Sequence, residues 1–255
     1  MSCILYTYIM TNDTGFAPAV KDSLLTLACC KPKLRISANK NFKNKKKNSD
    51  KEVYILALCG KQLAKNCECG NKKYSMEDRM YAPVYFARVT DVIEMKDYYS
   101  RKNYNEKSLK YRADHAAYSV KNGVLIPADS TEKNPHGTSL NDKEVQTDMS
   151  GKYVIVSENY IYFGADCGKI KLEDIMKINS VALSAVLGKC CDIKNNIKGS
   201  GVRILKTIWN FEEIEELKEV LGFTNGSATK DPIFLNTEFN PLKTVKYNTN
   251  VKCSC

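Results

Sequence analysis

The chain has no long hydrophobic run. None of its 255 residues fall in a stretch of about 18 consecutive apolar side chains, the length that a membrane-spanning helix requires. Its first residues, MSCILYTYIMTND, lack the basic segment and the small-residue cleavage site that mark a secretory signal. Since 43% of the residues are hydrophobic, a sizeable core can form. We therefore expect a cytoplasmic protein without a membrane partner.

Strong catalytic motifs are also missing. The sequence has no Walker phosphate loop, no dinucleotide-binding glycine fingerprint, no paired zinc-protease histidines and no nucleophile-elbow serine. These absences weigh against the enzyme classes that use those motifs. With only two histidines, His115 and His136, general bases that work near neutral pH are few, although a carboxylate or a cysteine thiolate could serve instead.

Cysteine is abundant, with eleven residues, but the number is odd and a chain of this size can fold without disulfides. We expect reduced thiols. Five of the cysteines raise the question of a zinc site: Cys59, Cys67, Cys69, Cys253 and Cys255. Their spacing differs from the gaps of about two to four residues that structural zinc sites prefer, so the sequence predicts no metal site. It indicates neither a cofactor nor an oligomeric state.

The net charge of +10 favours a polyanionic partner, because lysine and arginine that neutralise phosphates release condensed counterions. The lysine-rich residues 39–51, NKNFKNKKKNSDK, predict a solvated loop or hairpin tip. Such a loop could clamp phosphates, or it could simply keep the surface soluble. Charge alone therefore leaves open whether a nucleotide or a nucleic acid is the partner.

The secondary-structure pattern is rich in strands. Segments of β-branched and aromatic residues predict core strands at 3–10, 24–28, 53–58 and 79–93. We expect the strand at 53–58 to pair with the stretch at 79–93. Residues 153–157 and 160–164 predict a hairpin around Glu158 and Asn159.

Helices are fewer. Apolar residues recur along 210–221 at helical spacing, Asn210 is a candidate N-cap and Gly222 follows the end, so this helix should pack on the sheet. A short helix is expected within 97–110, and residues 121–152 predict a long irregular connection. The fold class is α+β, with one domain over 1–222, a lysine-rich insertion near 39–51, and a loosely ordered extension over 223–255.

A few polar side chains are candidates for chemistry. Asp114, Tyr118 and His136 could bind a polar ligand or carry out acid–base catalysis if folding brings them together. Taken alone, each such residue is more often structural. Cys30 precedes Lys31, whose ammonium would favour a reactive thiolate, although a buried and inert cysteine is the commoner outcome.

Three segments carry a family resemblance: DTGFAP at 13–18, TLACCKPKLR at 26–35 and VIVSENYIYFG at 154–164. In this combination and order, the chain resembles the second type of nucleotide-modification-associated domain, found in phages and bacteria and linked to systems that modify DNA bases. The resemblance extends over roughly residues 4–221. It implies a β-rich core, similar by analogy to base-recognition barrels of the pseudouridine-synthase-and-archaeosine-transglycosylase type.

The resemblance also implies site residues. Candidates for catalysis are Asp13, Asp114, His136 and Cys30, and candidates for nucleotide binding are Gly15, Phe16, Lys31, Arg35 and Tyr118. In this interpretation the aspartates accept hydrogen bonds from base or sugar, the cations meet phosphate, and an aromatic ring stacks on the base. The chain departs from the family pattern at Ala19, around Asp114 and in the lysine-rich segment.

Three functions fit these residues. The first is a binding site for a nucleotide or a nucleic-acid base, with or without enzymatic activity. The second is a non-catalytic module that senses a modified base or sequesters a small nucleotide in phage–host conflict. The third is a structural or interaction protein whose signature segment fixes turns.

Overall fold

A computed structural model describes residues 2–13, 15–21, 23–48, 51–65, 73–100, 117–128, 136–179, 204–224 and 226. The described strands are β1 Ser2–Met10, β2 Ala19–Lys21, β3 Leu24–Leu27, β4 Val53–Cys59, β5 Pro83–Arg88, β6 Asp91–Glu94, β7 Tyr118–Lys121, β8 Val124–Pro127, β9 Tyr153–Ser157, β10 Asn159–Tyr162 and β11 Leu205–Asn210. The described helices are α1 Pro32–Asn48, α2 Lys61–Lys65, α3 Met76–Arg79, α4 Met95–Ser100, α5 Lys143–Ser150, α6 Leu172–Met176 and α7 Phe211–Leu221, with a 3-10 turn at Gly164–Asp166.

Two sheets form the core. The larger sheet has five strands in the order β10-β5-β4-β1-β11, in which β1 and β4 are parallel and the other pairs antiparallel. The smaller sheet has the order β2-β3-β9-β6, and β7 pairs with β8 as a separate hairpin. The α+β class predicted from the sequence is confirmed. The described strands form open sheets and do not close into a barrel.

The central strand β4 is buried on both faces. All seven of its residues are buried, and they alternate between two apolar clusters. On one side lies the buried face of α1, with Leu34, Ala38 and Phe42; on the other lies α7. Since successive side chains of a strand point to opposite faces, this alternation allows helices to cover both sides of the large sheet.

Helix α7 agrees with its prediction. The Asn210 side chain accepts from the Glu213 backbone N–H at 2.8 Å, and the Glu213 carboxylate accepts from the Asn210 N–H at 2.8 Å. Gly222 ends the helix at φ 66°, in the left-handed region that favours glycine. Ile214 and Leu217 pack on the large sheet, as expected.

Strands β9 and β10 exist where predicted, but the predicted hairpin is wrong. β9 pairs with β3 and β6 in the small sheet, whereas β10 pairs with β5 in the large one. Between them the Ser157 hydroxyl donates to the Asn159 carbonyl at 2.8 Å and accepts from its N–H at 3.2 Å. These local bonds turn the chain from one sheet to the other.

The stretch at 79–93 divides in the same way, because β5 belongs to the large sheet and β6 to the small one. The predicted pairing of 53–58 with this stretch is confirmed by β4 and β5. The connection at 121–152 is less irregular than predicted, since it contains β8 and α5. The short helix expected within 97–110 corresponds to α4, which begins earlier, at Met95, and overlaps only the start of that segment, while residues 101–116 lie outside the described chain. Most of the predicted extension at 223–255 also lies outside it, so the division of the chain at 222 stays a prediction.

The lysine-rich segment is not a loop up to Asn48, because residues 39–48 form the second half of α1. Proline fits the first turn of a helix, where its missing N–H has no intrahelical role, and Pro32 opens this one. Leu34, Ala38 and Phe42 recur every fourth residue on its buried face. Lysine is also a good helix former. The many lysines favoured the loop prediction and obscured the helical spacing of the few apolar residues. No helix in the described ranges has both the length and the apolar character to cross a membrane.

Replacing Lys40 by proline tests this correction. Lys40 is exposed within α1, so Lys40→Pro should lower the free energy of unfolding by about 3 kcal/mol through the lost helical hydrogen bond and the ring clash. Lys40→Ala is the control and should change it by less than about 0.5 kcal/mol. Urea unfolding followed by circular dichroism measures both. Equal stabilities would show that a loop is present here.

Candidate active site

Cys30 lies at the entrance to α1. The backbone N–H of Arg35 donates to the backbone carbonyl of Lys31 at 3.1 Å, which is the first hydrogen bond of the helix. Lys31 is therefore the N-cap, and Cys30 comes just before it. Cys30 and Lys31 have φ values of 58° and 45°. This left-handed conformation costs a non-glycine residue about 1–2 kcal/mol. Two such residues in succession persist only where surrounding contacts hold them, and turns of this kind cluster at functional sites.

The thiol of Cys30 faces a histidine. Its Sγ lies 3.8 Å from Nε2 of His136, and the opposite ring atom, Nδ1, lies 2.5 Å from Oδ2 of Asp148. A carboxylate beside Nδ1 favours the tautomer in which Nδ1 is the donor, and in the neutral ring of that tautomer the Nε2 lone pair is directed towards sulfur. The three side chains form a cysteine–histidine–aspartate relay.

Asp148 organises this relay. Its Oδ1 accepts the backbone N–H of Cys30 at 2.5 Å, and its Oδ2 accepts the Tyr118 hydroxyl at 3.1 Å as well as the histidine proton. The residue is 1% exposed and lies near the end of α5. One carboxylate therefore fixes both the main chain of the thiol residue and the ring of the histidine.

Arg35 has a structural position that differs from the predicted phosphate contact. Its guanidinium is fully buried and donates to the carbonyls of Cys30 at 2.9 Å, Asp148 at 2.5 Å and Tyr153 at 2.7 Å. A phosphate would have to displace these bonds. The side chain instead ties the Cys30 turn to the end of α5 and the start of β9.

Phe16 and Tyr118 also lie within the site, with 4% and 3% exposure. The Phe16 ring meets the His136 ring edge-on at 5.3 Å between centroids. Such buried rings support the relay and offer little surface for stacking on a base, which was their predicted role. Gly15, at φ 75°, shapes the turn that leads to Phe16, and its predicted part in ligand binding stays a prediction.

Asp13 belongs to a neighbouring cluster of tyrosines. It is 1% exposed and accepts a hydrogen bond from the Tyr162 hydroxyl. Tyr162 stacks on Tyr85 at 5.8 Å, and the Tyr85 and Tyr8 hydroxyls are 2.8 Å apart. Burial, followed by the negative charge of Asp13, raises the pKa of Tyr162 well above its usual value.

Tyr8 connects this cluster to the Cys30 turn. Burial is the largest cause of its raised pKa, and Tyr85, Cys30 and Asp13 add to the effect. The Lys31 ammonium lies 5.3 Å from the centre of the Tyr8 ring. Lys31 thus lies next to Cys30 and over the Tyr8 ring, whereas Asp13 binds within the tyrosine cluster.

Of the predicted catalytic residues, the structure brings Cys30 and His136 together. Asp114 lies outside the described residues. The sequence interpretation missed Asp148, although a signal existed: Val145 and Asp148 are three residues apart on the buried face of one helix. A carboxylate on an apolar helix face is rarely left unpaired, and it can be sought from sequence alone.

These residues can perform nucleophilic chemistry. The thiol lies at the N-terminal end of a 17-residue helix, whose dipole favours negative charge there, and a histidine is in position to take the proton. Cysteine–histidine pairs oriented by a third polar group recur on unrelated folds. The same three side chains are the one described group whose donor atoms, all within 4.8 Å of one another, could hold a metal ion. None of the five described cysteines, which include Cys59, belongs to a disulfide among the described residues.

Gly151 provides a test of the role of Arg35. Its φ of −69° suits any residue, but an added Cβ would lie 2.4 Å from the guanidinium carbon of Arg35. Gly151→Ala should therefore displace Arg35, lower the free energy of unfolding by about 1–3 kcal/mol and slow alkylation of Cys30. Gly222→Ala is the control, since its Cβ would meet nothing within 4 Å. That control should lose stability through its left-handed φ but keep the Cys30 alkylation rate. Unchanged Cys30 alkylation in folded Gly151→Ala would contradict the role assigned to Arg35.

Comparison with known proteins identifies a family but finds no curated protein and no solved structure that matches the chain. The family model described as nucleotide modification associated domain 2 matches residues 2–185, a span that contains Cys30, His136 and Asp148. The chain belongs to the nucleotide modification associated domain 2 family.

Proposed function

We propose that the protein is an enzyme that modifies nucleotides or nucleic-acid bases through a covalent intermediate on Cys30. The observation that carries the proposal is the relay in which Cys30, His136 and Asp148 are joined at 3.8 and 2.5 Å. A binding module has no need of a thiol at a strained turn that faces an oriented imidazole. The family assignment supplies the link to nucleotide modification.

The proposed reaction uses the three side chains of the relay in turn. His136 Nε2 takes the thiol proton, and the sulfur electron pair forms a bond to an electrophilic carbon of the substrate. The leaving group departs with its bonding electrons and receives that proton from His136. In the second half, an amine or water loses a proton to His136 and bonds to the same carbon, while sulfur leaves as the thiolate. Asp148 stabilises the imidazolium during both halves.

An anionic partner is supported by the solvent face of α1. Lys33, Ile36, Lys40 and Lys43 are all exposed and recur at helical spacing, so they lie on one side of the helix. The lysines extend over about 15 Å from the end that carries Cys30. A nucleic-acid backbone lying along this row would meet successive ammonium groups, with a base or chain end near the thiol. We call Lys33, Lys40 and Lys43 the lysine row.

Substitution of the relay tests catalysis. The protein is incubated with nucleoside triphosphates and with DNA, and products and protein adducts are identified by mass spectrometry. Cys30→Ser should abolish both, and His136→Ala should lower the rate by about 10²- to 10⁴-fold. Cys29→Ala, which removes the buried neighbouring thiol, is the matched control and should keep activity.

The reactivity of the thiol provides a readout that needs no substrate. Iodoacetamide should label the Cys30 peptide faster in the native protein than in the unfolded chain, and His136→Ala and Asp148→Asn should remove the difference. Circular dichroism checks that each variant is folded. Catalysis by folded Cys30→Ser, or native labelling no faster than unfolded labelling, contradicts the proposal.

Charge reversal tests the lysine row. Lys33→Glu, Lys40→Glu and Lys43→Glu together should weaken DNA binding and reduce the slope of log affinity against log salt by about 2–3, as expected for the loss of three phosphate contacts. The control reverses three exposed lysines elsewhere, Lys61, Lys121 and Lys169. Fluorescence anisotropy at several salt concentrations measures both sets. If the control loses as much slope as the lysine row, net charge and not this helix face determines binding.

A further inference from the structure

We propose that Cys30 and His136 form a reversible binding site for a soft divalent metal ion such as Zn²⁺, and that the bound ion blocks the thiol. The evidence is the relation between Sγ and Nε2, which lie 3.8 Å apart. Two ligands of a tetrahedral zinc ion, with bonds of about 2.3 Å to sulfur and about 2.0 Å to nitrogen, lie about 3.5 Å from each other. A small adjustment of the half-buried Cys30 side chain brings the pair to that separation.

Asp148 would act from outside the coordination shell. The donor atoms of all three side chains lie within 4.8 Å of one another, but Asp148 lies on the Nδ1 side of the ring, so it cannot bind an ion that Nε2 binds unless the histidine rotates. Its oxygens already accept from the Cys30 N–H, the His136 ring and the Tyr118 hydroxyl. A carboxylate on the far nitrogen of a ligating histidine fixes the ring and raises its basicity, which is the usual partner arrangement at zinc sites.

The chemistry selects the ion. A thiolate and an imidazole prefer Zn²⁺ and similar soft or borderline ions to Mg²⁺ and Ca²⁺, which require oxygen ligands. The site uses two ligands from the described residues, and a metal ion held by so few protein ligands can leave again. Because the metal occupies the nucleophile's electron pair, metal binding and covalent chemistry exclude each other. This regulatory consequence rests on the proposed function, whereas metal binding itself does not.

Cobalt spectroscopy tests the site directly. Co²⁺ replaces Zn²⁺ and gives a thiolate charge-transfer absorption when sulfur is a ligand. The background variant has serine in place of the cysteines that lie outside the described residues: Cys67, Cys69, Cys190, Cys191, Cys253 and Cys255. In this background the band should appear with one ion per chain and be lost in Cys30→Ser and His136→Ala. Asp148→Asn should weaken binding by about 10–100-fold, and Cys29→Ala should leave it unchanged.

Protection of the thiol gives a second measurement, in the unmodified chain, which remains valid if the serine background does not fold. Zn²⁺ should slow iodoacetamide labelling of the Cys30 peptide in the wild-type protein and leave its rate unchanged in His136→Ala, whereas Mg²⁺ should have no effect on either. A cobalt band that persists in Cys30→Ser, or Cys30 labelling that Zn²⁺ does not slow, overturns the metal site. Slow labelling of Cys30 without metal, together with clear zinc protection, would instead count against the proposed catalysis and leave the metal site standing.

Discussion

The rest of the site depends on one buried carboxylate. Asp148 receives hydrogen bonds from the Cys30 main chain, the His136 ring and the Tyr118 hydroxyl, while its own carbonyl accepts from Arg35. A carboxylate that is only 1% exposed is stable in the core when hydrogen-bond donors surround its oxygens. This requirement fixes the position of each donor group. The thiol and the imidazole meet because both of their residues bind the same group.

The strained turn at Cys30 follows from the same constraint. Two left-handed residues in succession are unfavourable alone, but the Cys30 N–H is bound by Asp148 and the Cys30 carbonyl by Arg35. Arg35 in turn lies where Gly151 leaves space, since any side chain there would enter the guanidinium. The energy that holds the turn thus comes from contacts with α5 and β9, more than 100 residues along the chain.

Local sequence patterns predicted the elements better than their partners. The α7 helix and the strands around 3–10 and 53–58 followed from periodicity and caps, which act over a few residues. The pairing of β9 and β10 did not, because two adjacent strands that join different sheets look like a hairpin when read alone. The family resemblance identified Cys30 and His136, but Asp148 carries no motif, and its role emerges only when α5 packs beside the Cys30 turn.

The helical structure of residues 39–48 fixes the position of the lysines relative to the thiol. As a loop, the lysine-rich segment would have been an insertion with no fixed relation to the thiol. As a helix, it continues the element that begins next to Cys30, and its exposed lysines follow one face away from that end. The helix dipole and the lysines both favour negative charge near the thiol, the dipole acting on the thiolate and the lysines on a polyanion. The proposed function therefore couples binding and nucleophilic chemistry through one rigid element: in that proposal, a substrate aligned on the lysine row presents its nearer end to Cys30.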